Sequence, residues 1–215
     1  MKKTELLADN AYDWIQNKIF DGTYSQGQKI VTQDIADTLG MSRTPVVAAI
    51  NRLVAQGIAT EIPHRGVIVA KMEPKQIRDF IDTRKMMETY AVAPAIRNAS
   101  YFPGVLKEME TYAEELSKLT DTDFQVISRM EKKFHTDYMK LANNNQLLKL
   151  YESNWGVGFA VFTYVISNVP IHDYKKSCDQ HLLIVDCLKN GREAELREAM
   201  ETHLDDVYKS LNMMS

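Results

Sequence analysis

Cysteine is scarce in this 215-residue chain: there are two, Cys178 and Cys187. So few do not indicate a disulfide framework, and a reducing cytoplasm is the expected setting. Long apolar runs are also missing. None approaches the roughly 18 residues that span a bilayer, so no membrane partner is expected. The opening Met-Lys-Lys-Thr-Glu-Leu-Leu-Ala-Asp-Asn has two lysines with no apolar stretch behind them and does not read as a secretory signal. Excess positive charge is the third absence. A net charge of −3 excludes a uniformly basic nucleic-acid binder. Residues 1–71 hold 8 Lys/Arg against 7 Asp/Glu, and residues 72–215 hold 18 against 22. A DNA contact in the first part therefore rests on a few placed cations, not on a large field.

What is there supports one large domain or two small ones. At 45% hydrophobic residues the chain can bury a core. Leu7, Ala11, Trp14, Ile15 and Ile19 recur at helical spacing, so residues 4–20 read as a helix. Asp21-Gly22 ends it, and a polar loop runs to Gln28. Thr32 is expected to cap a short helix that Gly40 closes. Ser42 caps the next, with Pro45 in its first turn, where a missing N–H costs nothing. Two short helices joined by a glycine-containing turn form a helix-turn-helix. Ile58–Ile62 and Gly66–Ala70, rich in β-branched residues and split by Pro63-His64-Arg65, read as a hairpin, or wing. Beyond Met72 only helices follow, at about 74–98, 103–119, 122–143, 145–167, 171–189 and 192–212, with a kink expected at Pro94. The fold expected is mainly α: a winged helix-turn-helix over 1–72, then an all-helical antiparallel bundle over 73–215.

In the helix from Arg43, residues Val46, Ala49, Ile50, Leu53 and Val54 share one apolar face. Thr44, Val47, Ala48 and Asn51 then point outward. The start of such a helix meets base edges. Asn51 can pair with adenine, and Thr44, Val47 and Ala48 can touch thymine methyls. Lys29, Thr32, Ser42, Arg43, Arg52, His64 and Arg65 complete the candidate DNA-binding set, its cations suited to phosphate. The plain alternative is a solvated helix edge with ordinary surface arginines.

Ser42-Arg-Thr-Pro-Val46, Ile35-Ala36 with Leu39-Gly40, Arg52-Leu53 with Gly57, and Arg65-Gly66 resemble the GntR-type winged helix over residues 10–70. The resemblance implies a double-stranded DNA operator. Where that family carries Arg-Glu after Pro-Val, this chain has Val47-Ala48. That arginine is a usual DNA contact, so the resemblance implies a shifted or weaker operator rather than a lost one. Gln26-Gly27 replaces the family's Pro-Gly.

In the helical part, Glu131 and His135 are i, i+4 and meet on one helix face. His181 lies ten residues before Gly191 and His203 twelve after. Folding back at Asn190-Gly191 places both about 15–18 Å from the turn, level across an antiparallel pair. One carboxylate and three imidazoles suit a divalent ion, zinc foremost, with nickel, manganese and iron also admitted, and leave positions open for a ligand oxygen. His172 fits no such geometry and reads as a surface residue. Arg84 is a candidate bidentate clamp for an anion, or half of an ion pair with Glu88 at i+4. Trp155, Phe159 and Phe162 read as cavity lining or plain core. Cys178 and Cys187 read as buried thiols.

Glu131-Lys-Lys-Phe-His135 resembles the Asp-x-x-Phe-His motif of the FCD effector domain, the FadR-type partner of this winged helix, with Glu in place of Asp. His181 and His203 fall at that family's other ligand positions, and Arg84 to Glu88 resembles its Arg-x-x-x-Glu helix. The resemblance implies a metal that holds a small carboxylate effector. The leading expectation is a ligand-responsive regulator binding a near-palindromic operator as a homodimer. A metal-dependent hydrolase and a pure metal sensor are the alternatives.

Overall fold

The computed structural model describes residues 3–20, 22–71, 73–118, 124–166 and 171–212; within these, the side chains at 3–5, 20, 74, 124–125, 156–166, 171–175, 207–208 and 210–212 lie outside the described set. The chain divides into two compact units, Met1–Glu73 and Pro74–Ser215.

The N-terminal unit is built from α1 (Lys3–Phe20), β1 (Lys29–Ile30), α2 (Thr32–Leu39), α3 (Arg43–Ala55), β2 (Ala59–Ile62) and β3 (Gly66–Val69). The three strands form an antiparallel sheet in the order β1-β3-β2. The two-residue β1 is an addition to the expected hairpin; it pairs Lys29 with Ile68 and Ile30 with Val67. The core follows the sequence period. Val46, Ala49, Ile50 and Leu53 of α3 are buried against Ala11 and Ile15 of α1 and Ile35 and Ala36 of α2. Each large aliphatic side chain so buried contributes about 1.5–3 kcal/mol. Tyr12 adds a polar tie, donating its hydroxyl to Oε1 of Gln56 at 2.6 Å. Gly40 is left-handed (φ 61°), which lets the amides of Gly40 and Met41 turn back onto the carbonyls of Asp37 and Ala36 and close α2.

Two expected caps differ in detail. Val31, extended as it leaves β1, holds the N-cap position, and Thr32 is the first helical residue of α2. Ser42 occupies the N-cap of α3, but its side chain makes no capping bond.

The C-terminal unit comprises α4 (Pro74–Asn98), a 3-10 turn (Ala99–Tyr101), α5 (Pro103–Lys118), α6 (Phe124–Leu141), α7 (Asn145–Ile166), α8 (Ile171–Asn190) and α9 (Glu193–Asn212). α4 continues through Pro94 as one helix. It packs on α6, α7 and α9, while α5 packs on α6 and α8, and α8 on α9. Asn98 donates to the Leu141 carbonyl at 3.0 Å and Tyr138 donates to the Glu88 carbonyl at 3.0 Å. These two ties, ten residues apart on α4 and three apart on α6, set both helices running the same way. α8 and α9 fold back at Gly191, itself left-handed (φ 65°). Both cysteines are buried thiols. No helix among the described residues is long and apolar enough to cross a membrane.

Candidate metal centre and nucleic-acid face

Three helices bring four donors to one point inside the C-terminal unit. Glu131 and His135 come from α6, His181 from α8 and His203 from α9, and one ligand atom of each lies within 4.8 Å of all the others. None is more than 1% exposed. Nε2 of His135 is 3.2 Å from Nε2 of His181 and 3.2 Å from Nε2 of His203. Oε2 of Glu131 is 3.4 Å from Nε2 of His135 and 3.4 Å from Nε2 of His181. Glutamate's longer arm therefore reaches the cluster.

The opposite nitrogen of each ring faces a different partner. Nδ1 of His135 meets Oε2 of Glu88 at 2.9 Å. Nδ1 of His181 meets the Cys178 carbonyl at 3.3 Å. Nδ1 of His203 meets Oε1 of Gln180 at 3.1 Å and Oγ of Ser177 at 3.3 Å. The Gln180 amide is oriented by donating its own nitrogen to Asp206 at 2.9 Å, which turns the oxygen toward His203. Acceptors at Nδ1 place each ring proton there and leave the Nε2 lone pairs facing one another and a carboxylate.

Lone pairs so arranged repel unless protons or a cation sit among them. The spacing suits a cation. Two donors each about 2.1 Å from a shared ion, at about 90–110° to each other, lie about 3.0–3.4 Å apart. The donor set thus fits a divalent transition ion. Electrostatics agree. Burial holds His203 well below the ordinary imidazole value, which keeps it neutral, as a ligand must be. Burial pushes Glu131 upward, but the imidazoles of His181 and His135 beside it outweigh this and hold the carboxylate well below its ordinary value.

Arg84 is one turn before Glu88 on α4 and only 1% exposed. Its Nε donates to Oε1 of Glu88 at 2.5 Å, so the i+4 ion pair exists. Its Nη2 has no partner among the described residues. The guanidinium sits 5.0 Å from the Trp155 ring. Trp155 is fully buried, edge-on to Phe80 and Tyr151, and belongs to the packed core. The side chains of Phe159, Phe162 and His172 lie outside the described residues. A surface groove of about 1060 Å³, lined by Lys85, Tyr90, Arg97, Arg197 and Glu201 among others, contains none of the four donors.

On the N-terminal unit, Ser42, Arg43, Thr44, Val47, Ala48, Asn51 and Arg52 are all exposed on or beside α3. Lys29, His64 and Arg65 are exposed on the sheet and its turn, and Thr32 is half-buried. Arg52 already has partners. It pairs with Asp9 of α1 at 3.0 Å and lies 4.0 Å from the Tyr12 ring, so a phosphate would compete with these for its charge. Sequence reasoning passed over Tyr151, Gln180 and Ser177, and took Glu88 only as a possible partner of Arg84. The i+4 spacing flagged that pair, but nothing in the sequence pointed it at His135.

The FCD domain family matches residues 79–206, and the gntR family of bacterial regulatory proteins matches residues 7–69. The protein named "Probable D-xylose utilization operon transcriptional repressor" from Paenarthrobacter nicotinovorans is 28% identical over 204 residues, covering 92% of this chain and 84% of the relative. The HTH-type transcriptional regulator McbR of Escherichia coli K12 is 24% identical over 205 residues, covering 92% and 91%. Among solved structures, E. coli McbR/YncC superposes with a TM-score of 0.74 at 19% identity, over 97% of this chain and 98% of that one. A GntR transcriptional regulator from Rhodococcus sp. RHA1 gives 0.76 at 21% identity, over 95% and 97%. At such identities these two structures show the shared fold alone.

Proposed function

The chain belongs to the gntR family of bacterial regulatory proteins and carries an FCD domain, which makes it a DNA-binding transcription regulator, and we propose that it senses a small organic acid through a divalent metal held by Glu131, His135, His181 and His203. One observation carries this reading: three buried imidazoles bring their Nε2 atoms together beside a carboxylate. A bound ion, zinc foremost, supplies a hard anchor for an anionic oxygen. Arg84, buried and open at Nη2, is the second anchor for a carboxylate. Trp155 supports Arg84 from beneath its guanidinium.

In this reading residues 1–72 bind the operator and residues 73–215 hold the effector. Thr44, Val47, Ala48 and Asn51 meet bases, and Lys29, Arg43, His64 and Arg65 meet phosphates, with Thr32 and Ser42 beside them. A homodimer on a near-palindromic site is the expected assembly. The effector acts by preferring one arrangement of the dimer, since only a difference in affinity between two states shifts their populations. The hydrolase alternative finds no support in a family of regulators.

The experiment is to purify the chain, identify the metal and any small acid that co-purify by mass spectrometry, and select its DNA from random sequence with and without them. Replacing His135 and His181 together by alanine should bring metal content to background. Full metal retention in that variant overturns the ligand set. DNA affinity that follows metal alone, with no response to any acid, replaces the reading with a metal sensor.

A further inference from the structure

Glu88 is neither a metal donor nor an anion clamp in the reading above, yet it touches both. It is completely buried. Its Oε2 faces Nδ1 of His135 at 2.9 Å. Its Oε1 accepts from Nε of Arg84 and from the hydroxyl of Tyr151, each at 2.5 Å. One carboxylate therefore joins α4, α6 and α7 at the point where the two parts of the proposed site meet. We propose that Glu88 is a positioning residue that fixes the His135 tautomer and the Arg84 guanidinium together, so that a single carboxylate sets both metal affinity and the direction of the open Nη2. This inference rests on the metal-binding reading of the four donors.

His135 is the donor that most needs such support. Its Nε2 is the shared neighbour of Nε2 of His181, Nε2 of His203 and Oε2 of Glu131. A rotation of its ring removes the donor that all the others face. Its outer partner also differs in kind. His181 leans on a peptide carbonyl and His203 on an amide and a hydroxyl, whereas His135 has an ionised carboxylate at the shortest of these distances. Charged acceptors hold a ring N–H about twice as strongly as neutral ones and raise the basicity of the coordinating nitrogen. On the other side, Arg84 is gripped at Nε, so its guanidinium plane cannot turn without breaking that bond, and Nη2 keeps a fixed direction.

The competing account makes Glu88 only the neutralising partner of a buried arginine. In that case a folded variant altered at Glu88 binds metal as the parent does. The test is zinc titration of the full chain against a competing chelator, with the absorption spectrum of the cobalt-loaded chain as a second readout and circular dichroism as the fold check. Parent protein binds zinc and His135→Ala does not. Glu88→Gln and Glu88→Asp weaken zinc binding by about 10–100-fold and shift the cobalt bands. Tyr151→Phe, which leaves the carboxylate on His135, changes affinity by at most a few fold. Should Glu88→Gln not fold, Glu88→Asp, which keeps the charge beside Arg84, carries the test. A folded Glu88 variant with parental zinc affinity and an unmoved cobalt spectrum overturns the inference while leaving the metal site standing. A parent chain that binds no zinc and no cobalt overturns the metal reading first, and this one with it.

Discussion

The two units of this chain treat polar side chains in opposite ways. Among the described residues of the N-terminal unit, every buried side chain is apolar or tyrosine, and the candidate DNA contacts stand on the surface. The C-terminal unit buries Arg84, Glu88, Ser128, Glu131, His135, Asp137, Ser177, His181 and His203 in its interior. A surface reader needs a firm scaffold and free side chains, and an apolar core provides the first without restricting the second. An internal sensor must keep charged groups out of water, which is tolerable only when each is paired. Function in the second unit is thus bound up with its stability, and function in the first is not.

The largest expected difference is the response to acid. Glu88 is pushed up by burial but pulled further down by Arg84 and His135, to well below the ordinary carboxylate value. His203 is held below its ordinary value as well. Both folded values lie under the unfolded ones, so both groups stabilise the fold above the unfolded value and lose that contribution as pH falls. The window opens below about 6.5 for His203 and below about 4.3 for Glu88. In the N-terminal unit burial raises Tyr12 and Tyr24, which stay protonated throughout acid. Chelator-treated protein taken from neutral to acid pH should therefore lose amide protection in α4, α6, α8 and α9 before α1 and α3. Hydrogen exchange resolved by segment reads the order. Simultaneous loss in both units, or earlier loss in the first, would remove the contrast.

A core truncation sharpens the same comparison from the other side. Leu53 is fully buried beneath α1 and α2. Leu53→Ala should cost the N-terminal unit about 2–5 kcal/mol and leave zinc retention by the chain unchanged. Metal loss in step with the unfolding of α1 and α3 would show that the units do not keep separate accounts of stability.

How much of this was legible in the sequence follows from the same physics. Helix limits came through where glycine, proline and period agree: the reading of 74–98 matches α4, and that of 145–167 matches α7 as far as the described residues run. Strand β1 did not, because two residues carry no period, and Lys29–Ile30 is a strand only through its pairing with Val67 and Ile68. The convergence of His181 and His203 was accessible because a known turn and a fixed rise per residue determine height along an antiparallel pair. The grip of Glu88 on His135 was not. An Arg and a Glu at i, i+4 look the same in sequence on a wet face and in a core. Which face of α4 turns inward depends on α6, α7 and α9 together, and no local pattern encodes three neighbours. Arg52 shows the reverse error of emphasis: a cation on an exposed helix suggests phosphate, yet its position over Tyr12 and against Asp9 is tertiary.

The next effect is smaller and falls on binding rather than stability. Val47 is 41% exposed in the first half of α3, on the outward face with Thr44 and Asn51. Val47→Arg should tighten operator binding by about 1–3 kcal/mol if the new side chain reads a base, and steepen the logarithmic salt dependence by about 0.9 if it meets a phosphate. Fluorescence anisotropy against selected DNA at several salt concentrations distinguishes these. Unchanged affinity, selected sequence and slope would mean that position 47 does not face DNA. Zinc affinity should not move in either case.

The smallest effect isolates a cost that the N-terminal unit bears in its backbone. The turn between β2 and β3 closes with the Arg65 amide on the Ile62 carbonyl at 3.0 Å, and Pro63 occupies its second position. His64 is the third, at φ 62°, where this turn type prefers glycine. A histidine there bears the left-handed penalty that glycine escapes, offset in part by the greater freedom that glycine loses on folding. His64→Gly should therefore stabilise the N-terminal unit by about 0.5–1 kcal/mol in urea denaturation and leave zinc binding untouched. If the imidazole is a phosphate contact, the same variant binds DNA more weakly although it is more stable. A variant that gains stability and keeps full affinity would show that the wing tip carries strain without a DNA role. Lower stability instead would mean that the His64 side chain supports the turn more than its backbone opposes it.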